Sequence, residues 1–259
     1  MPRTARVISS TGIYHIILRS VNQQIIFEEE SDYLKFLYIL SDCKEKYDFD
    51  IYAYCLMSNH IHLILNDHNN KLSSIFQSLG TRFARWYNQK YQRFGHLFQD
   101  RFFSSPILDN SYFINALIYI HANPVKSNLC RYITEYRWSS ARAYFGSNDA
   151  LVNTTYAYEL AGSKSNLEAL LSGGIDESIE ILEDHKQSQP IYFSDETALD
   201  MFKKISKCSS PSDVQKLPKT VRNHLIRLLA EKNISYNQIA RFCGITKTTV
   251  YRIIKNGVV

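Results

Sequence analysis

The sequence predicts an α+β fold, an antiparallel sheet with helices packed on it, followed by a small all-α helix-turn-helix unit. Two observations carry this. Runs rich in β-branched and aromatic residues alternate with amphipathic stretches in the order strand, helix, hairpin, helix, strand, helix. Beyond residue 201 only helical spacing and helix caps recur. The boundaries expected are 1–150 for the sheet domain, 151–200 for an acidic, partly helical connecting region, and 201–259 for the basic helix-turn-helix domain.

Residues 13 to 21, "IYHIILRSV", read as a first strand. The following stretch switches to helical spacing, with Leu34, Leu37, Tyr38 and Ser41 on one face and Ser31 as N-cap. "DFDIYAYCLMSNHIHLILND" then reads as two strands, about 50 to 56 and 60 to 66, joined by a tight turn at Met57, Ser58 and Asn59. From Lys71 to about Tyr91, Leu72, Phe76, Leu79, Phe83 and Trp86 recur at three- and four-residue steps, an amphipathic helix whose apolar stripe excludes Arg82 and Arg85.

"GHLFQDRFFSSPIL" is a further strand region, with Pro106 near its end or at an edge. "DNSYFINALIYIHANPVK" is a helix capped by Asp109 or Asn110, and Pro124 biases Asn123 against continuing it.

At the C-terminal end one helix runs to about Lys232, and Ser235 with Gln238 forms a capping box for the next. Gly244 stands where a left-handed residue ends that helix, and Thr246 caps a last one carrying Val250, Ile253 and Ile254 inward. This last helix presents Lys247, Thr248, Thr249, Tyr251, Arg252 and Lys255 outward, a chemistry suited to phosphates and base edges in a major groove. Charge agrees, since residues 201 to 259 hold 12 Lys and Arg against 2 Asp and Glu, whereas 151 to 200 hold 2 against 10. A small helical bundle used for protein contacts is the alternative.

Composition narrows the class. No run approaches the roughly 18 to 20 apolar residues that cross a bilayer. The first residues lack the apolar centre of a secretory signal, so a cytoplasmic, nucleoid-associated protein with no membrane partner is expected. Five scattered cysteines without a C-x-x-C pair suggest reduced thiols rather than a disulfide framework or zinc knuckle.

The chemistry centres on "MSNHIHLILN". Alternation along a strand puts His60, His62 and Ile64 on one face and Ile61, Leu63 and Leu65 on the other. Two imidazoles so placed can ligate one metal ion, or can simply be hydrogen-bonded on a half-solvated sheet face. A third ligand is offered by "YIHANPV", where Tyr119 and Asn123, four residues apart, share a helix face. His121 points elsewhere and is not counted. Two histidines and an amide oxygen would make a Lewis-acid site, beside which a tyrosine can act as nucleophile on a phosphodiester.

These segments together resemble a known family. "YHIILRSVNQQIIF", "AYCLMSNHIHLIL", "FQDRFFSSPI", "YIHANPVKSNL" and "YRWSSARAY" occur in the order and spacing of the REP-associated tyrosine transposases, a branch of the single-tyrosine HUH transposases, over about residues 10 to 146. The resemblance implies a ferredoxin-like domain that cleaves and rejoins single-stranded DNA near hairpins through a 5′-phosphotyrosine. His60, His62 and Asn123 would be metal ligands and Tyr119 the nucleophile. The ion would be Mg²⁺ or Mn²⁺, and imidazoles favour Mn²⁺. No nucleotide cofactor would be needed, because the covalent link conserves the energy.

The family reading also implies that Arg82, Arg85, Lys90, Arg93 and Arg101 hold the DNA backbone and that Tyr87, Phe98 and Phe102 stack on bases. Single-stranded and hairpin DNA are the expected partners, with duplex DNA bound through the C-terminal domain; one chain and a homodimer both fit. The competing reading is a domesticated, non-catalytic regulator that recognises hairpin or duplex DNA.

Overall fold

The structure, a computed structural model, describes residues 6–99, 101–173, 195–232 and 234–255. Part of the expected connecting region, residues 174–194, therefore lies outside the described residues.

The sheet has four strands, β1 Ile13–Arg19, β2 Asp50–Met57, β3 His60–Asn66 and β4 Phe103–Pro106, in the order β2-β3-β1-β4. All the pairings are antiparallel. With α1 Glu30–Tyr47 between β1 and β2, α2 Leu72–Lys90 between β3 and β4, and α3 Asn110–Lys126 after β4, this is the expected ferredoxin-like arrangement. Pro106 closes the edge strand β4, where its missing N–H costs least.

Alternation divides the sheet into two cores. Ile16, Leu18, Leu56, Ile61, Leu63 and Leu65 pack under α1 and α2. Ala53, Cys55, Met57 and Ile64 face α3 with Phe113, Leu117 and Ile120. Ser58 and Asn59 alone join β2 to β3, so the pairing register Met57 to His60 is fixed by the turn.

Three local expectations are corrected. The first helix is capped by Glu29 in a reciprocal capping box with Asp32, not by Ser31. Its buried stripe is Phe36, Ile39, Leu40 and Cys43, while Leu34 and Tyr38 are exposed. Both stripes have helical spacing, and the sheet selects the one with Phe36. The third helix does not stop at Asn123 but runs through Pro124 to Lys126. Burial of Ile120, Ala122 and Pro124 outweighs the local bias of the proline, which forfeits one hydrogen bond to the Ile120 carbonyl.

Beyond the sheet domain, α4 Thr155–Ala161 and α5 Lys164–Gly173 lay Ala157, Leu167 and Leu171 on the α3 core. The C-terminal unit comprises α6 Asp195–Ser206, α7 Lys219–Glu231, α8 Tyr236–Cys243 and α9 Lys247–Lys255. Ser235 and Gln238 form the expected capping box, and Gly244 is left-handed at φ 63°. Its core of Phe202, Leu229, Ile239, Phe242 and Val250 also takes in Ile25, which comes from the segment between β1 and α1. Ser212 of this unit donates to the buried Glu28, as does Tyr87 of α2. Cys43, Cys55, Cys130, Cys208 and Cys243 are all free thiols.

Candidate active site

Strand pairing builds the site's floor. His60 and His62 are two apart on β3, and in the antiparallel register they sit opposite Arg19 and Ile17 of β1. Directly paired side chains share a face, so His15, Ile17 and Arg19 join the two histidines on the side of the sheet that α3 covers. The His60 and His62 rings meet edge to face with centroids 5.0 Å apart.

Tyr119 descends from α3 onto this floor. Its ring centroid lies 5.8 Å from that of His62 and 6.2 Å from that of His15. Lys126, two turns further along α3, places Nζ 5.4 Å from the Tyr119 ring centroid. The phenol side chain is 7% exposed. Asn123 lies one turn after Tyr119 and donates from Nδ2 to the Tyr119 carbonyl at 3.0 Å, which turns its Oδ1 away from that carbonyl.

Each imidazole is held from behind. His60 Nδ1 lies 2.7 Å from Asn59 Oδ1, and His62 Nδ1 lies 3.2 Å from His15 Nε2. His62 Nε2 is fully buried without a hydrogen-bond partner. When Nδ1–H donates to His15, Nε2 keeps its lone pair, the form a ligand requires.

Burial pushes the His60 pKa down to about 3, with Arg19 and Arg241 adding to the effect. Burial likewise drives His62 well below its ordinary value, reinforced by His60, His15 and Arg19. Both rings are thus neutral, the form that ligates metal. Neutral imidazoles and an orphaned buried nitrogen fit a divalent cation; Asn123, one turn from Tyr119, is the residue whose amide oxygen would complete the set.

Four neighbours of this cluster carry no motif signal of their own: His15, Arg19, Asn59 and Lys126. The period-two alternation of "IYHIILR" would have found His15 and Arg19 once paired with β3. Burial lowers the Arg19 pKa, and the adjacent Tyr119 opposes that shift, so the guanidinium and the phenol are coupled electrostatically. His121, buried on another face of α3, has Nε2 2.8 Å from Ser140 Oγ and does not join the cluster.

The sequence-derived DNA contacts divide. Arg85 and Arg101 line one cavity of about 720 Å³ together with Phe98 and Phe102, and Arg6 stacks over Phe102 at 3.7 Å. Arg82 is instead ion-paired to Asp42 on α1, and Lys90 to Glu29 and Asp32. Arg93 donates to Gln24. Tyr87 is fully buried and hydrogen-bonded to Glu28, which corrects its expected role as a stacking platform; its spacing from Phe83 places it in the core stripe of α2.

On α9, Thr248, Tyr251, Arg252 and Lys255 are exposed, Lys247 and Thr249 partly so, and Val250 is buried. Thr249 is also tied to the cap Thr246, its N–H donating to Thr246 Oγ1 at 3.2 Å.

Comparison with known proteins finds similarity in two parts of the chain. Residues 9–123 match the family described as "Transposase IS200 like", and residues 216–256 match "Helix-turn-helix domain of resolvase". A Haemophilus influenzae protein named as a REP-associated tyrosine transposase is 32% identical over 110 residues, 37% of this chain. The matched region spans 61% of that relative's length. A solved REP-associated tyrosine transposase bound to a REP hairpin superposes with a TM-score of 0.50 at 16% identity, covering 59% of this chain and 98% of that one. At such identity the match speaks for the fold. Sheet order, motif order and the matched models agree: residues 9–123 are similar to the IS200-like, REP-associated tyrosine transposases, and residues 216–256 are similar to a resolvase-type helix-turn-helix.

Proposed function

We propose that this protein cleaves single-stranded DNA beside a hairpin and rejoins strands, with Tyr119 as nucleophile. The observation that carries the reading is that the His62 ring, whose Nε2 is buried and unpartnered, contacts both the Tyr119 ring and the His60 ring.

The phenolate oxygen of Tyr119 attacks the phosphorus, the P–O3′ bond breaks, and the departing 3′-oxygen takes up a proton. A 5′-phosphotyrosine and a free 3′-hydroxyl result. Attack by another 3′-hydroxyl reverses the chemistry and releases the tyrosine, so no nucleotide is consumed. A phenol of ordinary pKa about 10 needs cationic surroundings to react near neutrality, and Arg19 and Lys126 supply them. His60, His62 and Asn123 would hold Mg²⁺ or Mn²⁺; when bound, the ion supplies Lewis-acid withdrawal of charge from the phosphoryl oxygens.

The proposed substrate class is suggested by the similarly folded protein bound to a REP hairpin and supported by the cavity that gathers Arg85, Arg101, Phe98 and Phe102. In the division 1–150, 151–200 and 201–259, the last part adds duplex affinity through Lys247, Thr248, Thr249, Tyr251, Arg252 and Lys255.

Hairpin-bearing single strands incubated with the protein and Mn²⁺ are expected to give a covalent adduct that survives denaturation. Tyr119→Phe should form none, and an adduct that persists in this variant sinks the assignment. The near-complete burial of Tyr119 is the one observation that favours a domesticated regulator. Tight duplex binding with no strand cleavage on any hairpin substrate would decide for that reading.

A further inference from the structure

We propose that Asn59 is a positioning residue for His60 and ties the candidate metal site to the helix-turn-helix unit. The proposal rests on the reading of His60 as a metal ligand.

Asn59 occupies the two-residue turn between β2 and β3, and its side chain is fixed from both ends. Nδ2 donates to the Gln23 carbonyl at 3.2 Å, while Oδ1 lies 2.7 Å from His60 Nδ1. A carboxamide that donates on one side must accept on the other. His60 therefore carries its proton on Nδ1, and the lone pair resides on Nε2, the tautomer a ligand requires.

The segment that carries the Gln23 carbonyl touches the C-terminal unit through its neighbours Asn22 and Ile25. Ser20 N–H donates to the Asn59 carbonyl at 3.0 Å and Ile26 N–H to the Ser58 carbonyl at 2.8 Å, so residues 20 to 26 lie along the turn. Their far side belongs to the helix-turn-helix. Ile25 is buried in its core, and Asn22 Nδ2 reaches the Gly244 carbonyl at 3.4 Å, at the end of α8.

Asn22 and Gln23 both adopt left-handed backbone conformations, at φ 53° and 55°. Such geometry outside glycine persists where the surroundings over-determine it. Here the surroundings come from both domains. Arg241 of α8 is also near enough for its charge to be felt at His60. A shift of α8 on engaging DNA would move Gln23, and with it the acceptor that sets the His60 ring.

The experiment uses the full chain and Mn²⁺ alone, with free ion followed by electron paramagnetic resonance and unfolding midpoints recorded without metal. Asn59→Ala should bind Mn²⁺ about tenfold more weakly at an unchanged midpoint, within the usual range for a residue behind a ligand. Asn59→Asp should recover most of the affinity, because its carboxylate still accepts from Nδ1. Equal affinity in wild type and Asn59→Ala, with His60→Ala impaired, overturns the positioning role and leaves the metal site standing. Equal affinity in wild type and His60→Ala overturns the metal reading itself.

For the link, a mixed-sequence duplex of about 30 base pairs is added at low salt, where non-specific phosphate contacts suffice. Duplex should change the wild-type Mn²⁺ affinity by about threefold or more and leave Asn59→Ala unaffected, as reciprocal coupling through that side chain demands. A wild-type affinity indifferent to duplex overturns the link.

Discussion

His15 Nε2 and His62 Nδ1 lie 3.2 Å apart between two fully buried rings stacked at 26°. Neither belongs to a conventional acid–base pair, since burial holds His15 at about 4 and drives His62 well below its ordinary value. Their relation is orientational: the contact holds the tilt of both rings, and whichever ring donates sets the tautomer of the pair.

Substituting His15 should therefore act through His62. His15→Ala is expected to weaken Mn²⁺ binding by roughly 10- to 100-fold, the usual range for removing the partner behind a ligand. Calorimetric titration against Mn²⁺ checks this. His15→Gln, whose side-chain oxygen accepts from His62 Nδ1, should lose less.

Arg19 faces His60 across the β1–β3 pair and is coupled to Tyr119. Its positive charge favours the ionised phenol, so Arg19→Ala should lower cleavage at pH 7 by about 10²-fold, in line with the loss of one electrostatic stabiliser. The deficit should shrink as pH rises and hydroxide does what the guanidinium did. A pH–rate profile parallel to wild type would show that Arg19 contributes only structure.

At the junction of the two domains, burial raises the Glu28 carboxyl pKa, against hydrogen bonds from Ser212 and Tyr87 that lower it. A folded-state pKa above the unfolded one favours the folded protein below the unfolded value and loses that advantage as pH climbs through the folded value. Unfolding midpoints should therefore fall with rising pH across that window. Glu28→Gln, uncharged throughout, should flatten the dependence.

The α9 cations should behave as phosphate contacts. Arg252 and Lys255 are exposed and lie one turn or less from Tyr251. Replacing either with Ala should reduce the slope of log affinity against log salt for duplex DNA by about 1. Fluorescence anisotropy over a salt series measures the slope. Cleavage of a bare hairpin strand should be unaffected.

Much of the fold is legible because alternation and helical spacing are local. The Met57 to His60 turn, the amphipathic α2, and the Ser235, Gln238 and Gly244 punctuation of α8 follow from neighbouring residues. What escapes is decided by tertiary contacts. Nothing in "FEEESDYLKFLYIL" tells whether Phe36 or Leu34 meets the sheet, and Pro124 sits buried inside a helix that its local bias would have ended. The same holds at the site. Spacing marks His60, His62, Tyr119 and Asn123 as candidates and the family resemblance suggests their roles, whereas His15 and Arg19 acquire meaning only once the register of β1 against β3 is known.

The seating of Ile25 in the C-terminal core has a consequence for the nucleic acid rather than for the protein. A reading head that is plugged into the catalytic domain cannot swing freely on a tether. Base pairs gripped by α9 and the strand presented to Tyr119 would then keep a constant helical phase. Inserting about five base pairs, half a turn of B-DNA, would carry the cut to the opposite side of the duplex, whereas about ten would restore it. Natural targets would accordingly show spacings quantised by the double helix.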